Sequence, residues 1–200
     1  ITPEEVVVPG FLPDLPDIRT ELAEYFTSCH RADEVVGAII AEIDKAGLTD
    51  NTLVVFISDH GMPLPFAKTN CYLASNATPW IVRWPGLAKP GTRDKKHFVS
   101  GIDMAPTFLA AAGLGNLPGA DGSSIIPLLE GKDEAERNMV FTSINAPHGG
   151  KPFPMRGVND GDYLYIWNGW ADGKTNFRNE SMSGLTYKAM KAAAKDDPAI

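Results

Sequence analysis

Chemistry enters this sequence at an adjacent acid and imidazole, Asp59-His60, followed at once by Gly61. A carboxylate oxygen and an imidazole nitrogen are both metal ligands, and the glycine lets the backbone turn and frees space beside the two side chains. The same dipeptide after a strand also makes a capped turn, so the pair alone leaves both readings open. Lys68 and Asn70 follow in a proline-rich loop, Met62-Pro63-Leu64-Pro65-Phe66-Ala67-Lys68-Thr69-Asn70. That loop either brings an ammonium to where an anionic oxygen would sit near a metal or leaves a solvated charge. His148 and Arg156, in or beside loop-rich sequence, are candidate substrate contacts or ordinary hydrogen-bonded loop residues. His30 and His97 stand in helical and charged contexts and carry no assigned role.

Positioning these residues falls to the elements around them. The opening stretch from Val6 to Pro16 has prolines too closely spaced for a helix interior and reads as an extended arm. From Ile18 the apolar positions recur as Leu22, Tyr25, Phe26, Cys29, Val36, Ile39, Ile40 and Ile43, the spacing of one buried helical face, with Gly47 at the place of a left-handed cap. Leu53 to Ile57 is a short apolar run with the bias of a strand buried on both faces, and it predicts a central parallel strand. Helix, turn, buried strand, then Ser58-Asp59-His60-Gly61 is the order in which an α/β sheet presents chemistry at strand carboxyl ends. Trp80 to Trp84 is a second strand stopped by Pro85-Gly86, and Ile102 to Ala112 an apolar helix whose Pro106 falls in the first turn. Runs at Met139–Ser143, Met155–Val158 and Tyr163–Trp167 predict a smaller antiparallel sheet, and Leu185–Lys195 a last helix. A subdomain boundary is expected near Gly131 to Asn138.

Two hundred residues with 44% hydrophobic content suffice for a domain with a real core. The net charge of -7 and pI near 5.0 argue against nucleic acid as a partner, so an anionic substrate would need a local cation or metal. No apolar run approaches the roughly 18 residues of a membrane span. Cys29 and Cys71 read as two buried thiols, the four tryptophans as core, and Arg93-Asp94-Lys95-Lys96 as a solvated loop. The start at Ile1, without an initiator Met, reads as a fragment or processed chain.

The segment Asn51-Thr52-Leu53-Val54-Val55-Phe56-Ile57-Ser58-Asp59-His60-Gly61 resembles the second metal-binding segment of type I sulfatases, in the alkaline phosphatase superfamily. Thr78-Pro79-Trp80-Ile81-Val82-Arg83-Trp84-Pro85-Gly86 and Ser100-Gly101-Ile102-Asp103-Met104-Ala105-Pro106-Thr107 are similar to the strand and helix that follow there. Lys68-Thr69-Asn70 and Phe153-Pro154-Met155-Arg156-Gly157-Val158 look most like the heparan N-sulfatase branch. The resemblance implies an α/β fold: part of an alkaline-phosphatase-like sandwich with a central mostly parallel sheet over residues 1–135, and a smaller C-terminal antiparallel sheet in an incomplete subdomain over 136–200. It implies metal ligands at Asp59 and His60, with calcium first and manganese or zinc allowed because the family often has Asn where His60 stands. It implies Lys68 as a catalytic contact to the sulfuryl group and a sulfated sugar as substrate. Asn70, His148 and Arg156 join that pocket as substrate contacts, and the compartment would be periplasmic, secreted or lysosomal. No nucleic acid or membrane partner is expected.

The family's formylglycine, made from Cys or Ser in a Cys/Ser-x-Pro/Ala-x-Arg motif, has no counterpart at Cys29 or Cys71, and no Asp-Asp pair precedes Leu53. The nucleophile is therefore expected upstream, with this chain a C-terminal portion that is inactive alone. The alternatives are a phosphodiesterase or phosphonate monoester hydrolase of the same superfamily, and a non-catalytic binding module.

Overall fold

The computed structural model describes residues 1–115, 117–146 and 152–197. Helix α1 spans Pro16–Lys45, with Pro16 in its first turn, where no intrahelical donor is lost, and Asp17 beside the positive end of the helix dipole. It ends as the sequence predicts. Gly47 takes φ 70° while its amide bonds Asp44 and the Leu48 amide bonds Ile43, which satisfies the last carbonyls.

Only the start of α1 is sealed. Ile18, Leu22 and Ala23 pack with Val6 and Leu12 of the arm and with Leu64 and Ala67 of the loop before Lys68. Each large aliphatic side chain buried there contributes about 1.5–3 kcal/mol. The arm and the Lys68 loop are thereby fixed to one helix. Farther along, Phe26, Val36 and Ile40 face a groove of about 980 Å³ against Val54, Phe56 and Ile81. The single buried face expected from Ile18 to Ile43 is at most half-buried beyond Ala23: Cys29 and Ile39 are exposed, whereas Cys71 is buried.

Strand β1 (Val54–Ile57) and strand β2 (Trp80–Arg83) pair antiparallel, from Val54 opposite Arg83 to Ile57 opposite Trp80. This differs from the parallel pairing and two-sided burial expected of Leu53 to Ile57. A parallel partner requires a crossover, usually a full helix, whereas the segment between these strands carries only the one-turn helix α2 (Leu73–Asn76) and reverses. With one neighbour and the groove at its side, β1 is half-buried and Ile57 is exposed.

The predicted helix after Ser100 forms as a 3₁₀ turn, Gly101–Asp103, running into α3 (Met104–Ala111), with Ser100 and Asp103 capping each other's backbone. Helix α4 (Ile126–Leu129) follows. The smaller antiparallel sheet is present in the order β3 (Val140–Ile144), β4 (Met155–Asn159), β5 (Leu164–Asn168). Its outer face leaves Phe141, Tyr165 and Trp167 exposed, so Trp167, at 51% exposure, is not core. On the inner face Gly157 lies against Thr142 and Cys71, where a Cβ would come within 2.6 Å of Thr142 Oγ1. A 3₁₀ turn (Glu180–Ser183) leads into α5 (Leu185–Ala193), whose first amides, Leu185 and Thr186, donate to the Glu21 carboxylate of α1 at 3.2 and 2.7 Å. That carboxylate caps a helix that no residue of its own N-terminus caps.

Candidate metal and sulfate site

Asp59 and His60 leave the carboxyl end of β1, as the order of elements predicts. Gly61 is required there for space: a Cβ would fall on the Ala74 carbonyl oxygen and within 2.6 Å of the Ala67 carbonyl oxygen. The Gly61 amide donates to the Ser75 carbonyl at 3.0 Å, which fixes the turn against α2. The His60 ring Nδ1 lies 2.8 Å from the Gly61 carbonyl. A carbonyl only accepts, so Nδ1 carries the proton and, in the neutral ring, Nε2 keeps its lone pair. Nε2 lies 3.4 Å from Asp59 Oδ2, whose side chain is 84% exposed against 36% for His60. An acceptor nitrogen beside an exposed carboxylate is a pair of donors suited to a cation. Among the described residues, no group of three or more His, Cys, Asp or Glu is arranged to hold a metal ion, so this pair stands alone.

The two side chains open on a cleft of about 530 Å³ walled by Thr69, Cys71, Trp80, the segment Phe98 to Gly101, and β3. Buried side-chain polar atoms without a partner include Thr69 Oγ1, Trp80 Nε1 and Thr142 Oγ1, all on residues of this wall. Asn70 and Tyr72 face the other way, toward an aromatic pocket with Trp170 and Phe177. Asn70 is buried and its amide is spent within the loop, donating to the Lys68 carbonyl at 2.9 Å and accepting from the Tyr72 amide at 2.8 Å.

Lys68 does not line the Asp59/His60 cleft. Its ammonium lies 2.9 Å from the Glu180 carboxylate, with the lysine side chain 14% exposed and the glutamate 58%. Positive φ at two non-glycine residues, Phe66 (64°) and Thr69 (55°), bends the loop on both sides of it. Such a conformation costs on the order of 1–3 kcal/mol per residue and persists only where surrounding contacts impose it. Arg156 donates to the Ile144 and Met155 carbonyls and to Asn145 Oδ1, binding β3 to β4. His148 lies outside the described residues.

Two groups that the sequence did not single out matter here. Glu180 carries no local signal for a contact to Lys68, and only the fold brings the two together. His97 carries no sequence signal for a role, and the neighbouring Arg93-Asp94-Lys95-Lys96 reads as solvated. Its ring nitrogens lie 2.8 Å from Asp94 and 2.7 Å from Asp133, its side chain is 10% exposed, and Lys96 also pairs with Asp133. An i,i+3 Asp-His spacing was the only sequence signal, and the second carboxylate is remote.

Residues 7–114 match the family model of the sulfatases. The chain is 32% identical over 176 residues to human N-sulphoglucosamine sulphohydrolase, covering 83% of this chain and 34% of that protein. It is 34% identical over 155 residues to an ulvan-active sulfatase of Formosa agariphila, covering 76% and 30%. The chain thus spans about a third of the length of these relatives. In fold it resembles BT4656, solved in complex with its substrate D-glucosamine-2-N,6-O-disulfate (TM-score 0.63, 24% identity, 94% of this chain and 41% of that one). The phosphonate monoester hydrolase of Silicibacter pomeroyi shares the fold at TM-score 0.60 and 22% identity, over 98% and 45%. On the family match and the human relative together, this chain belongs to the sulfatase family.

Proposed function

We propose that the complete protein hydrolyses sulfate esters or sulfamates, with an N-sulfated glucosamine of heparan type as substrate class, and that this chain supplies part of the metal site and pocket. The observation that carries the reading is the pair after β1: an exposed Asp59 carboxylate and a His60 ring whose Nδ1 is held by a carbonyl while Nε2 faces that carboxylate. Two donors fit a divalent cation without completing its shell, since calcium takes about six to eight oxygens and zinc about four ligands. Calcium is the first choice by family, and the imidazole also suits manganese or zinc. A bound cation would draw charge from the sulfuryl oxygens. Lys68, although off the wall of this cleft and paired with Glu180, would stabilise charge developing near the leaving group, with His148 and Arg156 toward the sugar, and Asn70, its amide spent within the loop, would serve there by holding that loop. The substrate class is supported by the human relative and by the Lys68-Thr69-Asn70 loop. The unpaired Thr69, Trp80 and Thr142 atoms around the cleft are consistent with a wall that further groups complete.

The test compares the 200-residue chain, the full-length protein and its Lys68→Ala form on an aryl sulfate and an N-sulfated glucosamine. Calorimetric titration of the short chain with calcium, manganese and zinc accompanies it. We expect no turnover and weak metal binding by the short chain. Full-length turnover should fall roughly 100- to 1000-fold on Lys68→Ala, the usual effect of losing one preorganised electrostatic contact. Turnover or tight stoichiometric metal binding by the short chain would refute the shared-site reading, and a fully active Lys68→Ala enzyme would refute the role of Lys68.

A further inference from the structure

We infer that Glu180, together with Asn179, is a positioning residue for Lys68, so that the C-terminal part of the chain sets where this ammonium points. The inference rests on the reading of Lys68 given above. A lysine on a flexible four-carbon stem, in a loop bent by two positive-φ residues, has no direction of its own. Direction comes from residues more than a hundred positions later. Glu180 holds the ammonium at 2.9 Å. Asn179 Nδ2 donates to the Lys68 carbonyl at 3.3 Å, while its Oδ1 accepts from Ser181 Oγ at 2.8 Å and so orients the amide.

These two residues sit where the chain enters α5, and α5 is anchored in turn. The Glu21 carboxylate of α1 takes its first amides, and Ala189 and Met190 pack against the cluster of Ile18, Leu22, Leu64 and Ala67. Ala67 immediately precedes Lys68, and Leu64 stands earlier in the same loop. Loop, Glu180, α5, α1 and loop therefore form a closed circuit of contacts around one side chain. An ordinary surface pair lacks such a frame and has a freely solvated lysine, whereas this lysine is 14% exposed. The carboxylate also repels an incoming sulfate. Removing its charge should therefore weaken orientation and ease binding at once, moving kcat and KM in ways that a loss of folded protein does not.

Two measurements test this. In the 200-residue chain, acylation of lysines by an N-hydroxysuccinimide ester, read by peptide mass spectrometry, should modify Lys68 at least about threefold faster in Glu180→Gln, with Lys45 and Lys89 as unchanged references. In the full-length enzyme, Glu180→Gln should lower kcat roughly three- to tenfold without raising KM, and Glu180→Asp should recover part of it. The Lys68→Ala/Glu180→Gln double variant should be no slower than Lys68→Ala. Unchanged labelling of Lys68, or a further loss in the double variant, overturns the inference while leaving the role of Lys68 standing. If Lys68→Ala is fully active, the proposed reaction role fails and the positioning claim fails with it, even where labelling shows the contact.

Discussion

Gly61 decides how closely the backbone under Asp59 and His60 can approach α2 and the Lys68 loop. The sequence singled it out for a turn, yet its φ is not in the left-handed region; what it supplies is the absence of a Cβ against two carbonyls. The residues that do turn left-handed, Phe66 and Thr69, were invisible to sequence reasoning because their types disfavour that conformation and only tertiary contacts impose it. Gly61→Ala should destabilise the chain by about 1–3 kcal/mol, the range for overpacking a closed site. Urea unfolding measures this, and a change within about 0.5 kcal/mol, the ordinary range for an unconstrained surface site, would show that the two carbonyls can move aside. The placement of Asp59 and His60 beyond the end of β1 is legible because the pair stands directly after an apolar run. The direction of Lys68 is not, since its partner lies far along the chain.

Elements were read well where their signal is local. The period of α1, the glycine stop at Gly47 and the three short runs of the second half each depend on neighbours a few residues apart, and each element formed. The partner of β1 depends on how a long connection folds, and there the expectation of parallel pairing failed. The segment Asp94 to His97 lay in a stretch read as solvated, but it is clamped to Asp133, and the next residues, Phe98 to Gly101, form a wall of the Asp59/His60 cleft. The Phe98 amide bonds the Arg137 carbonyl, and Arg137 in turn pairs with buried Asp103 at 2.9 Å. Hydrogen bonds from the ring to Asp94 and Asp133 raise the His97 pKa above its ordinary 6.5, although partial burial opposes this. Hydrogen bonds from Lys96 and His97 lower Asp133; burial pushes Asp94 up, but bonds from the His97 ring and from two backbone amides together outweigh it and lower that carboxyl. A raised imidazole stabilises the fold fully below about pH 6.5 and loses that contribution as pH rises through the folded-state value. The lowered carboxylates contribute above about pH 4 and are lost on acidification. The melting-temperature advantage of the native chain over His97→Gln should therefore be largest near pH 5–6 and shrink toward pH 9. A difference that is flat across that range would show that the clamp does not depend on an imidazolium.

At the scale of the whole molecule, the main sealed cluster joins the arm, the start of α1 and the Lys68 loop, with α5 packed on its flank and further buried residues scattered at Cys71, Ile125, Phe153 and Met155, while the sheet around β1 and the rest of α1 remain half-covered. Composition could not foretell this, because 44% hydrophobic content says how much apolar surface exists and not where it meets other surface. The cap of α5 has a consequence for the order of folding. Glu21 accepts from amides 164 and 165 positions later, so this contact closes one of the longest loops the chain can make. Contacts of such separation are reached late, after local helices and hairpins have formed. The circuit around Lys68 is therefore expected to close after the helices and the second sheet have formed, with the ammonium unguided until then. Glu21→Ala should speed unfolding by roughly fivefold, matching loss of a helix cap of about 1 kcal/mol, and leave the refolding rate nearly unchanged. Stopped-flow kinetics in urea separates the two limbs, and a slowed refolding limb would place this closure before the rate-limiting step.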